Sequence, residues 1–146
     1  MGILFGPAGN SQSFYDRGYK TSLQVPEYLA DMQLNAYEYQ CGRGVNIGTE
    51  TASALGKGCR EKDIMLSLHA PYYISLSGID EEKRNKSVDY ILQSARAAND
   101  MGASRIVVHS GSCSKMTREE ALALAMGTMK KALHALDEKN LGHVRI

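Results

Sequence analysis

The 146-residue chain carries 17 Lys and Arg against 16 Asp and Glu, a net charge of +1, with 43% hydrophobic and 23% charged residues. That length suits one domain with a real core rather than two, and the near-neutral balance excludes a global basic field, so any DNA contact must come from a local groove. The odd, widely spaced set Cys41, Cys59 and Cys113 argues against a disulfide framework. Together with the absence of a signal-peptide pattern in MGILFGPAGN and of any apolar run near the roughly 20 residues of a membrane helix, it points to a cytoplasmic protein.

The period of hydrophobicity alternates between strand and helix along the chain. Residues 3–5 read as a first strand, ending at Gly6-Pro7-Ala8-Gly9. Residues 24–32 can form a short helix with Pro26 in its first turn, where the missing N–H costs nothing. A second strand over 36–41 is ended by Gly42-Arg43-Gly44, and a second helix over 49–62 carries Ala52, Leu55 and Cys59. The third strand is 65–68. The third helix, 81–101, places Val88, Ile91, Leu92, Ala95, Ala98 and Met101 on one face, and Gly102 follows as a C-terminal stop.

A fourth strand spans 105–108. Thr117-Arg118-Glu119-Glu120 is a capping box; it opens a fourth helix carrying Leu122, Ala125, Met126, Met129, Leu133 and Leu136, which Gly142 is expected to stop. Residues 144–146 begin a fifth strand. The order (βα)₄β, in repeats of about 35 residues, predicts an α/β fold with a parallel sheet and right-handed crossovers. A closed (β/α)₈ TIM barrel typically needs about 250 residues, so residues 1–146 are expected to form its amino-terminal half. GPAGN matches neither a dinucleotide fingerprint nor a P-loop.

His69 and His109 each follow a short apolar run, in MLSLHAPYY and RIVVHSGS, one strand–helix repeat apart. Neighbouring parallel strands lie about 4.8 Å apart, so the two imidazoles can meet on the rim where barrel chemistry sits. Neutral imidazole suits zinc, manganese and iron, but zinc wants at least three protein donors. No third ligand is evident: Glu38 can face the pocket, the helix layer or solvent, and Asp16, in a loop, and Asp31, in a helix, read as solvated surface. His134 and His143 read as surface residues too.

Tyr72 and Tyr73 follow the third strand, where an exposed aromatic can stack on a base or sugar. Arg43, between two glycines, can approach a phosphate. Cys41 and Cys113 read as small buried hydrophobes. No residue is assigned a catalytic role.

At HAPYYISLSG and VVHSG the sequence resembles the endonuclease IV family of zinc-dependent apurinic/apyrimidinic endonucleases, within the xylose isomerase-like barrels. The resemblance runs in order through EYLADMQLNAYE, GVNIGTETASALGKGCREKDIMLSLHAPYY and KSVDYILQSARAANDMGASRIVVHSG. It implies a deoxyribonuclease that hydrolyses the phosphodiester 5′ to an abasic site in DNA repair, with His69 and His109 as ligands in a cluster of three zinc ions. It further implies that Tyr72 pushes into the DNA at the abasic site and that Arg43 contacts DNA.

Two positions depart from the family pattern: Ser75 stands where Asn is usual, and Ser110 where Pro is usual. The remaining carboxylate and histidine ligands are expected from the fifth strand onward, past Ile146. The 146-residue chain is therefore expected to lack nuclease activity by itself and to self-associate through exposed half-barrel edges. The alternatives are a metal-dependent sugar or sugar-phosphate isomerase or epimerase of the same barrel group, and a non-catalytic barrel remnant.

Overall fold

The computed structural model describes residues 2–146. Two short helices come first, α1 (Gln12–Asp16) and, after a 3₁₀ turn at Ser22–Gln24, α2 (Val25–Asp31). Then strands and helices alternate: β1 (Ala36–Gln40), α3 (Thr49–Glu61), β2 (Met65–His69), α4 (Glu81–Met101), β3 (Ile106–Val107) and α5 (Arg118–Glu138). The three strands form one parallel sheet in the order β1-β2-β3, with Gln40 opposite His69 and His69 opposite Val107. This is an α/β partial barrel whose sheet is not closed.

Side chains alternate across the sheet. Tyr37, Leu66, Leu68 and Ile106 are buried on the face that meets the helices. The other face carries Glu38, Gln40, Met65, Ser67, His69 and Val107, and there Met65 and Val107 stay exposed. In a closed barrel that face is the interior.

α3 packs on α4 and α4 on α5. Gly56 is required at the first contact, because a Cβ there would collide with the Met101 carbonyl. α4 ends as expected, with Gly102 at φ 74°, and Asp80 caps its start through the Glu82 N–H. The Thr117–Glu120 capping box at α5 is formed on both sides.

The edges differ from the five-strand expectation. The Ala36 N–H donates to the Phe5 carbonyl (3.0 Å), Glu38 N–H to the Pro7 carbonyl (3.1 Å) and Gly9 N–H to the Glu38 carbonyl (2.9 Å). Pro7 has no N–H to return to β1, so this segment makes one isolated bridge, Ala8 with Glu38, instead of a strand over residues 3–5. At the far edge Arg105 bridges Arg145, which is the whole of the expected fifth strand. Gly142 does not stop the last helix; α5 already closes at Lys139, with Asn140 at φ 57°. Asp16 lies in α1, where a loop was expected.

Candidate metal centre

β2 and β3 deliver the two histidines to the same rim. His69 ends β2. His109, two residues past Val107, returns to the same face, and the imidazole centroids stand 5.0 Å apart at 56°. The Nδ1–H of His69 donates to its neighbour's carbonyl, Ala70 O, at 2.9 Å; a carbonyl can only accept, so the remaining lone pair is on Nε2. His69 is half-buried and His109 exposed.

The adjacent loops hold this pair. The Cys41 N–H donates to the His69 carbonyl (3.0 Å), Ala70 N–H to the Val107 carbonyl (2.9 Å) and Leu76 N–H to the Ser110 carbonyl (3.1 Å). Ser77 Oγ donates to the Ser112 carbonyl at 2.8 Å, beside Gly111 at φ 106°. Thr128 of α5 is buried and donates to the Leu76 carbonyl at 2.8 Å. The positions of the two family departures, Ser75 and Ser110, thus lie in the segments that stitch the loops together.

Arg43 and Tyr72 also meet. Tyr72 N–H donates to the Gly42 carbonyl (3.3 Å), and Arg43 Nε donates to the Tyr72 hydroxyl at 3.2 Å. Tyr72 in turn lies 4.6 Å, centroid to centroid, from Tyr73, and both rings are about half exposed.

Glu38 lies on the histidine face but is engaged by Gln40, whose Nε2 donates to its Oε1 at 2.8 Å. Among the described residues no group of three or more His, Cys, Asp and Glu side chains is arranged to hold a metal ion. The residues present therefore fit a metal only in part, as two imidazole donors.

Asp16 accepts from Gln12 (2.9 Å) and Asp31 from Tyr19 (2.8 Å), both at the surface. His134 is exposed beside Glu138 and His143 beside Asn99. Cys41 is buried, and burial pushes its thiol up to about 11. Cys113 corrects the expectation of a second buried thiol. It is exposed, because the loop before α5 runs outside the packed helices. Two features were missed from sequence: the Ala70 carbonyl that sets the His69 tautomer, and Gln40 opposite His69. The second had a signal, a polar residue at the strand end in the same period-two row as Glu38.

A parallel sheet with helices on one face, and histidines at the carboxyl ends of its strands, defines the β/α-barrel class of proteins. The family model described as xylose isomerase-like TIM barrel matches residues 26–145, and the chain belongs to that family. It is 29% identical over 139 residues to MJ0133, an uncharacterized protein of Methanocaldococcus jannaschii, covering 95% of this chain and 48% of that protein. A probable endonuclease 4 from Streptomyces avermitilis is 36% identical over 80 residues, 55% of this chain and 25% of its own length.

Among solved structures, SacUVDE superposes with a TM-score of 0.66 at 17% identity, over 86% of this chain and 46% of that one. A D-tagatose 3-epimerase-like protein gives 0.65 at 18%, over 80% and 44%. Endonuclease IV from Thermus thermophilus gives 0.55 at 22%, over 79% and 44%. These likenesses establish the fold, and the chain spans at most about half the length of the proteins it matches. No helix among the described residues is long and apolar enough to cross a membrane.

Proposed function

We propose that residues 1–146 are the amino-terminal half of a zinc-dependent endonuclease IV-like barrel acting on abasic DNA. The observation that carries this reading is the placement of His69 and His109 with rings 5.0 Å apart on the rim that also bears the Arg43–Tyr72 pair. His69 and His109 are the zinc ligands this half supplies. Tyr72, held by Arg43, enters the duplex where a base is missing. Arg43 adds a cation for the flanking phosphate.

Bound metals in such a site polarise the phosphate and lower the pKa of a bound water. With two donors this half cannot hold a zinc cluster, since zinc needs at least three protein groups. The other ligands belong to residues outside this sequence, and the chain by itself does not hydrolyse DNA. Its three free cysteines support a reducing, cytoplasmic setting. The open sheet face supports self-association.

The sugar epimerase alternative draws on the D-tagatose 3-epimerase-like neighbour, and the two readings separate by ligand. The test is binding to a duplex carrying a tetrahydrofuran abasic analogue against the intact duplex. Preference for the abasic duplex that is lost in Tyr72→Ala supports the nuclease reading. Equal binding to both duplexes, or saturable binding of a ketose instead, overturns it; zinc-dependent nicking by this chain overturns the assignment of its missing ligands.

A further inference from the structure

A concave feature opens at the carboxyl end of the sheet, and the zinc-site reading leaves it unused. It is a cleft of about 200 Å³ lined by Asn10, Tyr15, Ser22, Tyr39 and Gln40, among others. It sits at the carboxyl end of β1, since Gln40 is the register partner of His69. Its polar groups are held in set roles. Tyr37, buried, donates its hydroxyl to Asn10 Oδ1 at 2.8 Å, which leaves the Asn10 amide N–H₂ to donate. Gln40 spends its Nε2 on Glu38 at 2.8 Å, which leaves its carbonyl oxygen to accept.

The aromatic walls are braced as well. Tyr15 is 50% exposed, and its ring stands edge-on to buried Phe14 at 5.2 Å. Phe14 packs on Tyr28 at 5.2 Å, and the Tyr28 hydroxyl lies 2.9 Å from Ser11 Oγ and 2.6 Å from Ser13 Oγ. Gly9, at φ 76°, brings the loop against the Gln40 side chain, where a Cβ would lie 3.0 Å from Cγ. The charges around the aromatic cluster are mixed, with Arg17 and Lys20 standing among Asp16, Glu27 and Asp31.

One fixed donor, one fixed acceptor and two phenol rings are the means by which proteins read an unstacked base: stacking on the face, amide hydrogen bonds on the edge. We propose that this cleft is a nucleobase subsite that takes one unstacked base of the DNA strand engaged at the histidine rim. The inference rests on the DNA reading above and deepens it, because recognition at Tyr72 requires a missing base while recognition here requires a present one.

The test compares two single strands of equal length and charge, one bearing bases and one with tetrahydrofuran at every position. Tyr15→Ala is expected to weaken binding of the base-bearing strand about tenfold and to leave the base-free strand unchanged. Tyr15→Phe is expected to keep wild-type affinity, because stacking does not use the hydroxyl. A strand carrying 5-iododeoxyuridine is expected to photocross-link to Tyr15 or Tyr39.

Equal loss for both strands, or cross-links confined to Tyr72 and Tyr73 with Tyr15→Ala unaffected, overturns the subsite while the DNA reading stands. Failure of the wild-type chain to bind or cross-link either strand overturns the subsite, while the DNA reading is decided by the abasic duplex.

Discussion

With Nδ1 of His69 engaged at the Ala70 carbonyl, Nε2 is the only ring atom left to bind a metal, and His109 sits 5.0 Å away, ring to ring. In a barrel that also carries the remaining ligands, His69→Ala and His109→Ala should each weaken Co²⁺ or Zn²⁺ binding by roughly tenfold or more, since loss even of a ligand's supporting partner costs about that much. Calorimetric titration checks this, and unchanged affinity in either variant would remove the pair from the metal site. The thiols separate by burial. Native protein should label rapidly at Cys113 alone, whereas denatured protein should label at all three cysteines. Burial raises the Cys41 and Cys59 thiols from 9.0 to about 11 each. The folded chain thus keeps protons that the unfolded chain loses above pH 9, so stability present below that pH should fall as pH rises toward about 11. A urea midpoint that stays flat across that window would contradict the assignment. The placement of single residues was legible where it follows strand ends, as with both histidines. Cys113 was misread because a small thiol carries no pattern that tells a buried loop from an exposed one.

α4 was legible to the residue, since its apolar stripe, its Asp80 cap and the left-handed Gly102 all agree on its limits. α1 was not: five residues, QSFYD, complete barely one turn, and this helix is held by the packing of Phe14 rather than by periodicity. The first strand failed for a backbone reason that hydrophobicity does not encode, the missing Pro7 N–H. Two substitutions test the packing. Gly56→Ala should force α3 away from the Met101 carbonyl and cost about 1–3 kcal/mol. Thr117→Ala removes the side chain that caps α5 at the Glu120 N–H and should cost about 1 kcal/mol. Denaturant unfolding measures both, and a Gly56→Ala variant as stable as wild type would refute the close α3–α4 contact.

Among the described residues, apolar surface remains uncovered at several places, including a sheet face, a sheet edge and one helix. Met65 and Val107 lie on the inner sheet face, Ile3 and Phe5 at one edge, and Leu122, Met126 and Leu133 form a stripe on α5. Unpaired strand edges and open apolar faces invite other chains. Sedimentation of the 146-residue chain should therefore show concentration-dependent association, and Val107→Lys should reduce it; a monodisperse monomer at all concentrations would contradict this. The barrel class was legible because the βα repeat recurs at a steady spacing. What stands beside His69 was not, because strand register alone decides it, and on β1 it places Gln40 there rather than a third His, Cys, Asp or Glu.

The backbone and side-chain bonds from Leu76 and Ser77 to Ser110 and Ser112 bind the segment bearing Tyr72 to the segment that begins at His109. A displacement of one segment is expected to carry the other, so the two proposed sites would share a free energy. If metal bound at the histidines tightens DNA at Tyr72 by some factor, DNA must tighten the metal by that same factor. Ser77→Ala, which removes a bond between the segments without touching either ligand, should shrink both factors together. Measuring each affinity with and without the other ligand closes the cycle.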